Sequence, residues 1–116
     1  MYYNKVVLME MRSSVQISCK TCRRPDLHEL QVIVDGYIEI VNLKNGYVLV
    51  VNDEGAINGI CRYNPLATAL YGNFIFGQAL LCKVDDLDST VLRYLTVEET
   101  DHIIKDVKQF ISEVKL

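Results

Sequence analysis

A set of polar and aromatic residues could form a ligand site in this chain. Glu39 lies in an alternating run of apolar residues, where a carboxylate needs a partner or an exposed position. Carboxylates and side-chain amides can hydrogen-bond a nucleotide base or a ribose, and an aromatic ring can stack on the base. We therefore predict a polar ligand-binding surface whose members are Glu39, Asn52, Glu54, Asn64, Thr68 and Tyr63.

The same residues also have a purely structural interpretation. Asn and Asp side chains commonly close turns or cap helices, and a Thr hydroxyl can bond its own helix. In this interpretation Asn52 and Asn64 are turn or cap residues, whereas Asp53 and Glu54 are solvated. The sequence leaves both interpretations open.

Carboxylates at Glu39, Asp53 and Glu54 also permit a magnesium site of the kind that hydrolyses phosphate esters. However, no candidate base or nucleophile is paired with them in the sequence. We therefore predict no catalytic residue, no metal ligand and no cofactor. A small metal-dependent hydrolase is kept as the alternative.

A basic group could form an anion site. Arginine side chains match phosphate geometry, and the helix that Pro25 and Asp26 begin would point its free N–H groups the same way. The alternative is a solvated loop with salt bridges to Asp26 and Glu29. The candidate anion-binding residues are Lys20, Arg23, Arg24 and Arg62.

The cysteines are Cys19, Cys22, Cys61 and Cys82. The spacing of Cys19 and Cys22 is that of half a zinc site or a redox pair, but a second such pair is missing from the sequence. The start of the chain carries Lys5 and Glu10, which do not fit the apolar core of a signal peptide. We therefore expect a cytoplasmic protein with reduced thiols.

Length and charge narrow the class of protein. The chain has 116 residues, half of them apolar, which fits a single domain over residues 1–116. A net charge of −3 makes nucleic acid an unlikely partner, since phosphate binding needs a concentrated basic surface. No apolar run approaches the ~20 residues of a membrane span, so we predict no membrane association.

The elements that must position these residues are organised around a hairpin. Residues 30–51 contain two runs rich in Ile, Val, Leu and Tyr that flank Lys44-Asn45-Gly46, and Asn-Gly supplies the positive φ angles of a tight turn. In the first arm, Tyr37, Glu39, Val41 and Leu43 share one face, opposite Ile38, Ile40 and Asn42.

The remaining segments predict an α+β fold. Residues 4–11 and 14–19 read as strands, residues 74–84 as a buried central strand, and residues 91–95 as a short edge strand. Helices are predicted to begin at Pro25-Asp26 and at Asn64-Pro65, and a capping box at Thr96–Glu99 begins an amphipathic C-terminal helix. The prediction is a mostly antiparallel sheet of about five strands with two or three helices on one face, the C-terminal helix among them.

The segment 30–83 resembles DUF3846, a domain family of unassigned function. The resemblance rests on GYIE at 36–39, NDEG at 52–55, Asn64-Pro65-Leu66-Ala67-Thr68 and the strand at 72–80. The family pattern more often has Gly-Gly before the tyrosine, where this chain has Asp35-Gly36. The resemblance implies a phage, prophage or plasmid origin, and therefore the cytoplasm of a bacterial host, and supplies no catalytic residues.

We therefore predict a non-enzymatic binding protein of phage or mobile-element origin with a counter-defence role. Its partner would be a host protein or a small nucleotide-like signal. A homo-oligomer is an open alternative, because an exposed strand at 91–95 or 4–11 could pair with a second copy. A weak nucleic-acid-binding accessory protein is a further alternative.

Overall fold

A computed structural model shows an α+β fold and describes residues 2–55 and 62–113, with side chains as far as residue 109. Cys61 therefore lies outside the described residues. The elements follow the chain in this order: β1 (Tyr3–Leu8), β2 (Val15–Lys20), α1 (Leu27–Val34), β3 (Ile38–Asn42), β4 (Tyr47–Asn52), α2 (Pro65–Tyr71), β5 (Ala79–Val84), β6 (Leu92–Arg93) and α3 (Val97–Glu113).

The sheet is antiparallel, with the strand order β2-β1-β5-β4-β3, and the short β6 pairs with the far end of β5. This confirms the predicted fold class. Among the described strands, β2 and β3 form the two edges of this order. The expectation of a free edge at residues 4–11 was wrong, because β1 is paired with β2 on one side and β5 on the other. Residues 91–95 are also engaged, through β6 and a bridge between Asn4 and Leu95.

The predicted hairpin is confirmed. Asn45 and Gly46 have φ angles of 61° and 78°, and the Leu43 N–H donates to the Tyr47 carbonyl at 2.9 Å. The register places Glu39 opposite Val51 and Asn42 opposite Val48. Every residue of β4 is buried, so β4 and the neighbouring β5 form the centre of the molecule.

Helices cover both faces of the sheet, and the expectation that they share one face was wrong. Leu49 and Val51 of β4 face a core that includes Leu66 of α2 and Ile103 of α3. Val48 and Val50 face the other core, to which α1 contributes Leu30, Ile33 and Val34. Because the central strands are apolar on both sides, a second face had to be covered.

The helix starts follow the predicted capping chemistry. The Asp26 carboxylate accepts from the Glu29 N–H at 2.8 Å, and the Asn64 side chain accepts from the Ala67 N–H at 3.0 Å. In the capping box, the Thr96 N–H donates to Glu99 Oε1 at 2.9 Å and the Glu99 N–H donates to Thr96 Oγ1 at 3.2 Å. No helix among the described residues is long and apolar enough to cross a membrane.

The apolar run at residues 74–84 is only partly a strand. β5 begins at Ala79, five positions later than predicted. Phe74 is 70% exposed, and the chain turns at Gly77, whose φ is 88° and whose N–H donates to the Arg62 carbonyl. The residues before Ala79 instead form a connection that packs against α2.

Candidate functional site

Asn52 at the end of β4 joins the hairpin to α1. Its Nδ2 donates to the carbonyls of Val34 and Asp35, each at 3.1 Å, and its Oδ1 accepts from the Glu54 N–H at 2.8 Å. The amide of this buried side chain therefore satisfies three backbone groups. These contacts give Asn52 the structural role that the sequence left open.

Asn64 and Thr68 hold the connection before β5. The Asn64 side chain is fully buried and donates to the carbonyls of Leu8 at 3.0 Å and Gly77 at 2.8 Å, besides capping α2. The Asn64 N–H donates to the Ile75 carbonyl, and Thr68 Oγ1 accepts from the Ile75 N–H at 2.9 Å. Both side chains therefore bind the protein's own backbone.

The remaining members of the predicted ligand surface are exposed. Glu39 and Asp53 border a small cleft of about 80 Å³, together with Asn52 and the aromatic residues Phe74 and Phe76. We call this the acidic cleft. Glu54, the residue after Asp53, is exposed. The centroid of the Tyr63 ring lies 6.1 Å from those of Phe74 and Phe76. The structure thus places Glu39, Asn52 and Tyr63 around one connection.

The volume of the acidic cleft restricts what it can hold. Pockets for small molecules usually measure about 300–1,000 Å³. At about 80 Å³ the cleft fits the head group of one side chain better than a nucleotide. Among the described residues, neither Glu39 nor Asp53 forms an ion pair, so the cleft presents uncompensated negative charge beside aromatic rings.

Two of the predicted anion-binding residues are neutralised inside the protein. Arg23 makes two hydrogen bonds to Asp85, at 3.0 and 3.1 Å, and Arg24 makes one at 3.1 Å. Asp85, the residue after β5, is buried, with 3% of its surface exposed. The pKa of Asp85 is lowered to about 2, chiefly by the hydrogen bond from the Leu87 N–H and further by the two arginines. Burial acts in the opposite direction.

The other two basic residues lie elsewhere. Lys20 forms an ion pair with Glu29 at 3.1 Å, as the alternative interpretation of the loop predicted. Arg62 is exposed near the start of β5, where its N–H donates to Glu10, whereas Arg23 and Arg24 lie at the end of β5. The described structure does not bring the four predicted residues into one anion site.

A larger apolar groove crosses the face of the sheet that carries α1. It has a volume of about 610 Å³ and lies between the start of α1, the hairpin and the loop after β5. Leu27 and Ile40 beside it are 58% and 41% exposed. We call it the β3 groove; its apolar lining includes Leu27, Leu30, Ile38, Ile40, Val48, Val84 and Leu92.

Sequence reasoning missed this groove because its walls come from segments far apart in the chain. One signal was available. Ile38 and Ile40 alternate with Glu39 on a strand that the turn sequence already defined, so two apolar side chains had to face away from the carboxylate. What the pattern could not show is that α1 covers only part of that face.

The described cysteines are free thiols. Cys19 and Cys22 are exposed, whereas Cys82 is buried in β5, where burial raises its pKa to about 12. Among the described residues, no group of His, Cys, Asp and Glu side chains has the arrangement of a metal site.

A second ion pair with a buried member is structural as well. Arg93 is 3% exposed and donates to both carboxylate oxygens of Glu99, at 2.7 and 2.8 Å. Burial alone would raise the pKa of Glu99, but the bonds and charge of Arg93, with the Thr96 N–H and Lys83, lower it from 4.5 to about 2. This pair fastens the start of α3 to β6.

Comparison with known proteins identifies the domain family. The sequence profile described as "Domain of unknown function (DUF3846)" matches residues 4–108. No curated protein and no solved structure gives a significant match. The match extends well beyond the segment 30–83 on which the resemblance was first based, and it covers the sheet, the β3 groove and most of α3. The chain belongs to the DUF3846 family.

Proposed function

We propose that this protein is a non-enzymatic binding protein that recognises a polypeptide segment of a partner along β3 and the adjoining β3 groove. It acts by occupying that partner. The mobile-element origin that the family resemblance implies supports such a role, in which a small phage-type protein blocks a host protein. The observation that carries the proposal is the junction of a sheet edge with an apolar groove.

The edge supplies the first half of the argument. Among the described strands, β3 pairs only with β4, so about half of its backbone N–H and C=O groups point outward. An extended peptide can add to such an edge and satisfy these groups, while pockets beside the edge select its side chains. β3 is five residues long, which is close to the usual strand length.

The β3 groove would contribute most of the binding free energy. Backbone pairing alone exchanges bonds to water for bonds to the partner and gives little net free energy. Burial of apolar surface contributes roughly 25 cal/mol per Å² and is the main term that can offset the cost of association. The exposed side chains of Ile40 and Leu27 are therefore needed for useful affinity.

The ionisable groups support a binding role rather than a catalytic one. The strongly displaced pKa values among the described residues belong to Cys82, Asp85, Arg93 and Glu99. Burial, a backbone hydrogen bond or a structural ion pair accounts for each of them. A catalytic site usually contains a general base whose pKa lies near neutral pH. These four shifts move the pKa values away from neutral pH.

The test is recovery of a defined partner with two matched variants. Ile40→Lys places a charge at the β3 groove, whereas Ile17→Lys places it on β2, the opposite edge, where Ile17 is 50% exposed. We expect crosslinking in host cells, followed by mass spectrometry, to identify a protein that Ile40→Lys loses and Ile17→Lys retains. In the recovered complex, amide hydrogen exchange should slow along β3. Equal recovery by both variants would reject this surface.

A further inference from the structure

We infer that the partner segment is an extended strand in which apolar side chains alternate with lysine or arginine. This inference rests on the proposed function and adds the chemistry of the partner. It follows from the different character of the two faces of β3.

The face that carries α1 is apolar beside β3. Ile38 and Ile40 border the β3 groove, with Val48 of β4 behind them. A strand added to β3 continues the pleat of the sheet, so every second side chain of that strand lies beside this groove. Those positions call for apolar side chains.

The opposite face is acidic and aromatic beside β3. Glu39 is exposed there, and Asp53 borders the same acidic cleft because the Asp53 N–H pairs with the Tyr37 carbonyl across the end of the hairpin. The intervening side chains of the added strand would lie beside these carboxylates. Opposite charges at neighbouring cross-strand positions are stabilising, and like charges are destabilising.

The aromatic side chains make the acidic cleft more selective for a cation. Phe74 and Phe76 line it together with the carboxylates. An ammonium or guanidinium group is attracted both by a carboxylate and by the face of an aromatic ring. The cleft volume of about 80 Å³ suits one such head group. The basic residue therefore has a defined place rather than a general attraction to an acidic protein.

The same charges argue against a second copy of this chain as the occupant. Antiparallel pairing of β3 with its own copy about a two-fold axis at Ile40 keeps corresponding faces on the same side. Both copies of Glu39 and Asp53 would then lie on the same face, and each chain already carries a net charge of −3. A basic foreign strand removes this repulsion.

The test uses synthetic peptides of about eight residues, the length of a typical strand. The probes are alternating Val-Lys, its block isomer with all valines before all lysines, alternating Val-Glu and alternating Val-Thr, each with a fluorescent label and capped ends. Fluorescence anisotropy measures binding to the full chain at low and physiological salt. We expect alternating Val-Lys to bind about tenfold more tightly than each of the other probes.

Single substitutions distinguish the contribution of the acidic face of β3 from that of the apolar face. Glu39→Gln should weaken the binding of alternating Val-Lys by about threefold or more, because a charge on the acidic face is lost. The affinity for alternating Val-Thr should not change. Asp101→Asn removes an exposed carboxylate of α3 and should change nothing. Ile40→Lys should weaken the binding of alternating Val-Lys and of alternating Val-Thr. Thermal melts of each variant confirm that the fold is retained.

Each contrary result has a distinct meaning. If Val-Thr binds as tightly as Val-Lys and both depend on Ile40, the inference is wrong and the proposed function stands. If the block isomer matches alternating Val-Lys, the attraction is nonspecific and the inference is wrong. If none of the peptides binds, or if native mass spectrometry shows a dimer that Ile40→Lys disperses, both the inference and the proposed peptide surface are wrong.

Discussion

A methyl group on Gly36 would lie 2.7 Å from Nδ2 of Asn52. That amide nitrogen cannot move aside freely, because it donates to the carbonyls of Val34 and Asp35. The two residues belong to the segments GYIE and NDEG on which the family resemblance rests. Their contact closes the junction between α1 and the open end of the hairpin, next to the acidic cleft.

Gly36→Ala should therefore destabilise the protein by about 2–3 kcal/mol, since the clash breaks a buried hydrogen-bond network. Gly72→Ala is the control, because φ is positive there as well but nothing lies within 4 Å of the added carbon. Its cost should be about 1 kcal/mol. Urea denaturation measures both. In the double variant with Asn52→Ala, the Gly36→Ala cost should shrink, and strictly additive costs would contradict the proposed contact.

Asn64→Ala should cost about 3 kcal/mol, because it leaves buried partners on Leu8, Gly77 and Ala67 without a hydrogen bond. Asp26→Ala removes the same kind of cap at an exposed helix start and should cost about 1 kcal/mol. The free energies of unfolding from urea denaturation test the difference. Equal costs would mean that Asn64 acts only as a cap.

Glu99 should make the protein sensitive to acid. Its folded-state pKa of about 2 lies below the ordinary value of 4.5, so its stabilising contribution is complete above about pH 4.5 and is lost as the pH falls towards 2. Glu99→Gln should lower the free energy of unfolding at pH 7 by about 2–3 kcal/mol, because it weakens the paired bonds to Arg93.

The same substitution should flatten the dependence of stability on pH between about 4.5 and 2 relative to the wild type. Glu98→Gln is the control, since Glu98 is an exposed residue in the same first turn of α3. It should cost less than about 1 kcal/mol and leave the acid slope intact. A wild-type slope in the Glu99→Gln variant would show that the ion pair does not contribute.

Cys82 should resist alkylation in the folded protein. Its thiol is buried in β5 and its pKa is about 12, so almost no reactive thiolate forms at pH 8. In a Cys61→Ser variant, iodoacetamide should modify the exposed Cys19 and Cys22 within minutes and Cys82 only after denaturation. Mass spectrometry of the digested protein reads each site. Rapid modification of Cys82 would show that the centre of the sheet opens readily.

Local features of the fold were predictable because the residues that decide them are close in the chain. The turn at Asn45-Gly46 needs two positive φ angles, and the cap at Asn64 and the box at Thr96 and Glu99 act within a single helical turn. The alternation in β3 also placed Glu39 and Ile40 on opposite faces correctly.

The predicted site residues fall into a buried group and an exposed group. A local sequence pattern does not show which residues will be buried. Asn52 and Asn64 sit where several segments meet and turn inward to bind backbone groups. Glu39 lies on an edge strand and stays exposed because nothing covers that position among the described residues. Asp85 is buried for a comparable reason, since its partners Arg23 and Arg24 precede it by 62 and 61 positions.

The amino-acid sequence by itself determined the hairpin, the helix starts and the α+β class, because these depend on backbone geometry and short-range hydrogen bonds. Only the tertiary structure decided that β3 is an edge, that α1 lies on the opposite face from α2 and α3, and that Ile40 borders an open groove. Strand order and helix placement depend on which distant apolar surfaces fit together. The same sequence pattern is compatible with several such arrangements until the core is packed.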